Sequence, residues 1–324
     1  MIPQNLSDSL SLPAVAAPMF LISGPELVIE CCKNGVVGTF PALNQRSTAG
    51  FEEWLIEIKN NLSDYKQSNG KPAAPYGVNL IVHRSNPRLM ADVEIIVKHK
   101  VPIVITSLGA VSDIVDAVHS YGGLVFHDVI NHRHAEKAAE AGVDGLILVC
   151  AGAGGHAGTL HPMAFVSEIR SFFKKTILLS GCISSGRDIA SALQIGADLA
   201  YMGTRFINTT ESKADKAYQE MIIESEVEDI VYTAAVSGVN ANFLKPSLEA
   251  AGLTPELWNK AGKIDFGKEL DAAQAEARAW KTIWSAGQGV TSIHDVQPTQ
   301  KLIENLKQEF RAAIEEQYQL LNKY

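Results

Sequence analysis

The chain predicts a (β/α)8 barrel on three observations. Short β-branched runs alternate with longer helical patterns, the sign of parallel strands joined by crossover helices. Eight such units follow one another, as a barrel of about 250 residues requires. Several helix exits repeat one phrase, Asn34-Gly35-Val36, Ala141-Gly142-Val143-Asp144-Gly145 and Ile195-Gly196-Ala197-Asp198. There a glycine supplies a left-handed turn and the next residues start a strand buried on both faces. An open doubly wound sheet is the alternative. It ordinarily carries G-x-G-x-x-G after its first strand, and Pro18-Met19-Phe20-Leu21-Ile22-Ser23-Gly24 is not that turn.

Taken in order, the candidate strands are 14–19, 36–40, 76–81, 103–107, 124–128, 145–149, 177–180 and 199–203, with helical patterns in the gaps. Cys31 and Cys32 fall in the first of these helical stretches; with Cys150 and Cys182 they lack paired metal-site spacings and read as reduced thiols in a core. Beyond the eighth strand the pattern breaks into polar helical stretches at 211–225 and 246–284, punctuated by glycines, which suit a covering segment over the barrel mouth. The division expected is a barrel over 1–210, a helical covering segment over 211–284 and a return to the barrel over 285–324. In the tail, Leu302, Leu306, Phe310, Ile314 and Leu321 recur at spacings of four or seven. That marks an amphipathic closing helix, packed on its own barrel or, alternatively, on a second copy in a homodimer.

Composition narrows the function. The 324 residues are 46% apolar and 20% charged, with 28 Lys and Arg against 36 Asp and Glu for a net charge of −8. Such a chain buries a core and is not disordered. No basic block offsets the acidic balance, which argues against nucleic acid as partner. The first residues lack a basic region before an apolar stretch, and no apolar run approaches the roughly 20 residues that span a bilayer. A small-molecule partner, no membrane and a cytoplasmic location are therefore expected.

The chemistry lies in the loops after the last strands, where barrel enzymes hold phosphate groups. After the seventh candidate strand stands Ser180-Gly181-Cys182-Ile183-Ser184-Ser185-Gly186, and after the eighth Met202-Gly203-Thr204-Arg205-Phe206. Glycine at a strand end lets backbone N–H groups approach an anion, and a following helix start adds its positive dipole end. After the sixth strand comes Cys150-Ala151-Gly152-Ala153-Gly154-Gly155-His156-Ala157-Gly158. Its glycines let the backbone lie against a flat ligand, and His156 presents a group that exchanges protons near neutral pH. His127, Asp128, His132 and His134 invite a metal reading, but two histidines two apart at a helix start face different directions, and no metal is expected. Arg205 reads as a structural cation.

These segments, with Ala17-Pro18-Met19, Gly77-Val78-Asn79-Leu80 and Trp284-Ser285-Ala286-Gly287-Gln288-Gly289, resemble the nitronate monooxygenase family, formerly called 2-nitropropane dioxygenases. The resemblance implies an FMN-dependent barrel enzyme that oxidises alkyl nitronates, and by extension nitroalkanes, with dioxygen to carbonyl compounds and nitrite. It implies that Pro18 and Met19 border the flavin, that Asn79 bonds it, that Gly181, Cys182, Gly203 and Thr204 hold its phosphate, that Gly155 and His156 lie beside the ring, and that Gln288 and Gly289 return to it from the covering segment. Three departures stand out: Asp128 replaces a cation expected near the flavin, Gly152 takes a position often held by Glu, and Cys182 takes the second place of a usual Gly-Gly. NADH-dependent enoyl reductases and quinone reductases share the scaffold and are the alternative enzyme reading. A flavin-binding protein without turnover is the non-enzymatic one.

Overall fold

The computed structural model describes residues 2–83, 86–109, 112–236, 238–259, 282–321 and 323–324. Eight parallel strands close into a barrel: β1 (Ala14–Ala16), β2 (Val37–Pro41), β3 (Tyr76–Ile81), β4 (Ile103–Ser107), β5 (Leu124–Val129), β6 (Gly145–Val149), β8 (Thr176–Ser180) and β9 (Leu199–Met202). The ring closes where Val15 pairs with Tyr201. Every expected strand is present, with ends displaced by up to three residues. The largest shift is at β1, which stops at Ala16 because Pro18 has no N–H for a ladder and Leu21 then turns through φ 63°. Gly203 likewise leaves its strand to cap a short helix, Thr204–Ile207.

Alternation along the strands builds two apolar layers. Val15, Val37, Ile103, Ile105, Phe126, Ile147, Leu178 and Leu199 fill the barrel interior. Their neighbours Ala16, Val78, Val104, Val125, Leu148, Ile177 and Leu179 pack outward against helical Leu27, Leu55, Ile58 and Ile96. Strands buried on both faces read as continuous apolar runs, which is why they are legible. The helix exits turn as expected, with Gly142 at φ 90° and Gly196 at φ 109°. Cys31, Cys32 and Cys150 are buried, but Cys182 is exposed on its loop, so the core reading fails for that thiol.

Past the barrel, the helix Lys216–Glu224 lies within the expected stretch 211–225, and Lys245–Ala250 and Pro255–Trp258 are helical; the part of 246–284 from 260 to 281 lies outside the described residues. Between the helices the chain adds strands, β10 (Ile230–Thr233) and β11 (Ala241–Leu244). They form an antiparallel sheet with β7 (Gly155–His156) from the histidine loop, in the order β10-β11-β7. This region has its own core of Val236, Phe243, Leu248 and Trp258. A second cluster, Ile22, Ile207, Tyr218, Leu244 and Val290, ties it to the barrel loops.

The closing helix, Thr299–Leu321, packs on the helix Gly186–Gln194 through buried Leu302, Ile303, Leu306 and Ala313. Ile314, expected on the buried face, is 37% exposed, because Ala313 takes the inner position. No helix among the described residues is long and apolar enough to cross a membrane.

Candidate active site

At the carboxyl ends of β8 and β9 a small open recess is lined by Gly181, Cys182, Ile183 and Ser184 on one side, Tyr201, Gly203 and Thr204 on another, and Gly152, Gly154, Gly287 and Gly289 on the third. Residues of the two loops expected to cradle an anion thus line one recess. No charged side chain is among the lining residues, so an anion here meets neutral N–H and O–H donors. A Cβ built at Gly203 would rest in ordinary van der Waals contact, 3.8 Å from Ala17 Cβ and from Met19 Cγ and Sδ, so this glycine meets no clash at its first carbon. Gly181 has φ +128° and its Cβ would meet Ala151 O at 2.8 Å, which forbids a side chain for backbone reasons.

The contribution expected from the following helix is corrected. Asp188 Oδ2 accepts from the amides of Ser184 and Ser185 at 3.0 and 2.9 Å, and Gly186 N donates to Glu309 Oε2 at 2.7 Å. The helix start is thus capped by two carboxylates. The cradle consists of the loop amides ahead of it, where Cys182 sits at φ 55°.

A polar layer occupies the interior of the barrel mouth. Alternation from Ile105 and Phe126 aims Ser107 and Asp128 inward, beside Asn79. Asn79 Nδ2 donates to Ser107 Oγ at 2.8 Å, and Ser107 Oγ donates to Asp128 Oδ2 at 2.5 Å. The other carboxylate oxygen, Oδ1, is buried without a partner. Burial pushes the Asp128 carboxyl up to about 6, against the downward effect of the Ser107 bond. Tyr201, which lines the recess, senses the Asp128 charge, and burial foremost holds its phenol well above the ordinary range. His127 faces the other way, against Thr106 Oγ1 at 2.8 Å, and burial lowers it to about 4. Among the described residues no three His, Cys, Asp or Glu gather as a metal-holding group.

The histidine loop is a strand edge. Gly155 and His156 pair with Asn242 and Ala241, Asn242 Nδ2 donates to Ala153 O at 2.6 Å, and Gly155 N donates to Ser285 Oγ at 2.6 Å. His156 is exposed and stands beyond the recess-lining Gly154. The return segment closes over this loop: Gly287 N donates to Thr204 Oγ1 at 2.9 Å and Gln288 N to Gly152 O at 2.9 Å. Behind it Tyr218 donates to Ser285 O, and its ring stacks on Trp284 at 5.1 Å. Pro18 and Met19 lie on the β1 loop, where Asn44 Nδ2 donates to Met19 O at 3.1 Å. Arg205 is 5% exposed and paired with Asp295 at 3.1 Å, a structural cation.

The nitronate monooxygenase family model matches residues 41–309. The chain belongs to the nitronate monooxygenase family. A relative so named from Paraburkholderia phytofirmans is 26% identical, the alignment covering 96% of this chain and 95% of the relative. FabK from Thermotoga maritima superposes with a TM-score of 0.80 at 22% identity, covering 99% of this chain and all of that one. Nitroalkane oxidase from Streptomyces ansochromogenes does so at 0.77 and 21%, covering 96% and 99%; both likenesses show the shared fold. Nitronate monooxygenases are flavin-dependent oxidoreductases, and this chain is an enzyme of that type.

Two departures from the family pattern are in contact. A Cβ at Gly152 would lie 2.3 Å from Cys182 Sγ and 2.8 Å from Gln288 Oε1, so the missing side chain at 152 makes room for the thiol at 182. Ser107, Tyr201, Ser285 and Asn242 escaped the sequence reading. Ser107 had a usable signal, as a hydroxyl at the carboxyl end of a strand that is apolar up to Thr106. The other three depend on contacts between distant segments.

Proposed function

We propose that the chain oxidises alkyl nitronates, and by extension neutral nitroalkanes, with dioxygen to carbonyl compounds and nitrite, using non-covalent FMN. The carrying observation is the neutral recess between the β8 and β9 loops, which suits one phosphate monoester and shares Tyr201 with the barrel interior. Gly181, Cys182, Gly203 and Thr204 would hold the phosphate; Pro18, Met19, Asn79, Asp128, Gly155, Gln288 and Gly289 would border the ring. When bound, FMN supplies the electron-transfer chemistry. The protein supplies orientation, exclusion of water and proton control. Residues 285–324 return to close the site, and 211–284 cover a barrel of 1–210. His156, at the rim, takes the proton from the carbon beside a nitro group; a nitronate is already an anion and needs no base.

Heat release followed by chromatography tests the cofactor, with FMN expected; FAD, or no flavin from folded protein, overturns the reading. Anaerobic mixing with propyl-2-nitronate is expected to bleach the flavin where NADH does not. Bleaching by NADH alone moves the chain to the reductases. A bound flavin that neither bleaches makes it a binding protein.

A further inference from the structure

Among the described residues, Asp128 is a carboxylate with an unpartnered buried oxygen and no ion pair. Asp128 projects into the barrel mouth at the end of β5, held by the Asn79–Ser107 hydrogen-bond chain on Oδ2, while Oδ1 is buried and has no partner. The interior-facing positions around it carry Ala17, Thr39, Asn79, Ser107, Val149 and Tyr201. Only Tyr201 among these ionises, and its neutral phenol adds no positive charge. His127, the neighbour in sequence, is turned to Thr106 on the outer face. Tyr201 also lines the recess and is close enough to Asp128 to sense its charge, so the recess and the carboxylate belong to the same barrel mouth.

An uncompensated buried carboxyl responds to charge in one direction. Negative charge placed nearby disfavours its ionised form, and it binds a proton. We propose that Asp128 is a proton-storing residue of the reaction, taking a proton from solvent at Oδ1 when electrons entering the flavin ring leave it negatively charged, and releasing it when they depart. This rests on the flavin reading above. For each electron that arrives without a proton, one proton moves from solvent to Asp128 and one O–H bond forms. When dioxygen accepts the electron, that bond breaks and the proton leaves with the reduced oxygen or returns to solvent. Ser107 is a positioning residue: its hydroxyl occupies Oδ2, so the proton goes to the unpartnered oxygen, Oδ1.

Reduced-minus-oxidised infrared difference spectra of the flavin-loaded protein, reduced electrochemically at pH 7.5, test this. A protonated-carboxyl band is expected on reduction in wild type, shifted in deuterium oxide and absent in Asp128→Asn. Over the same pH range the two-electron equilibrium should change about a hundredfold per pH unit in wild type and tenfold in Asp128→Asn, a tenfold change being 29.6 mV. If Asp128→Asn does not retain flavin, Ser107→Ala decides. Losing its hydrogen bond favours the neutral acid, so the band should already be present before reduction and vanish from the difference. An absent band in wild type, or one that persists in Asp128→Asn or is unchanged in Ser107→Ala, overturns the proposal. Protein without flavin would instead reject the flavin reading.

Discussion

Gly203 and Gly181 look alike in sequence and differ in what a side chain would meet. At Gly203, with φ −102° and a Cβ position in ordinary contact with Ala17 and Met19 at 3.8 Å, a larger residue leaves the backbone unstrained and crowds the wall of the recess. Gly203→Val should therefore keep its melting temperature in the absence of flavin and lose most of its bound flavin, measured as the absorbance ratio after purification. Full flavin occupancy would place the phosphate elsewhere. Gly181→Val is a poorer probe, since its positive φ and the Ala151 carbonyl destabilise the fold itself. For His156, a base role makes a divided expectation. His156→Ala should lose about 10²–10⁴-fold in kcat/KM with nitroethane and much less with ethylnitronate. Equal losses with both substrates would make it an anion-binding group, and no loss would remove it from the chemistry.

The loops after β6 and β8 act as a pair through Gly152 and Cys182. Gly152→Ala should destabilise the protein, by about 1–3 kcal/mol as for an overpacked site. Cys182→Gly should be neutral or stabilising, because the cysteine holds φ 55°. In the double variant the clash with Sγ is gone, and denaturant melts should recover a coupling of at least about 0.5 kcal/mol. Strict additivity would show that the two residues do not meet. The barrel elements were legible because the strands are mostly apolar runs, four of them entered from a left-handed glycine turn at Gly35, Gly122, Gly142 or Gly196. The small sheet was not: β7 has two residues, and β10 and β11 have four each, too short for alternation to register. Similarly, Ser185 and Asp188 could be read as a helix cap from their spacing, whereas Glu309, 123 residues from Gly186, could not. The Asn79–Ser107–Asp128 chain exists only because three neighbouring strands share one inward register, which needs the closed barrel to be seen.

At the scale of the whole molecule, two buried groups pull stability in opposite directions with pH. The Asp128 carboxyl is raised from 3.8 to about 6, so the folded state binds its proton more tightly; that contribution is full below about pH 3.8 and is lost as pH rises to about 6. His127 is lowered from 6.5 to about 4, so its contribution is full above pH 6.5 and is lost as pH falls to about 4. Either shift corresponds to about 3 kcal/mol at 1.36 per pH unit. The two should nearly cancel across this window. Urea melts of Asp128→Asn should gain stability from pH 4 to 6.5, and those of His127→Gln should lose it; parallel curves for the two would reject the opposed assignment. The ladder between β7 and β11 has a different consequence. Besides its two residue pairs, the histidine loop is tied to the covering and return segments by Ala157 N on Asn240 O, Tyr232 on Ala157 O, Asn242 on Ala153 O, Gly155 N on Ser285 and Gln288 N on Gly152 O. Loop and cover therefore form one mechanical piece, and whatever displaces the covering segment carries His156 with it.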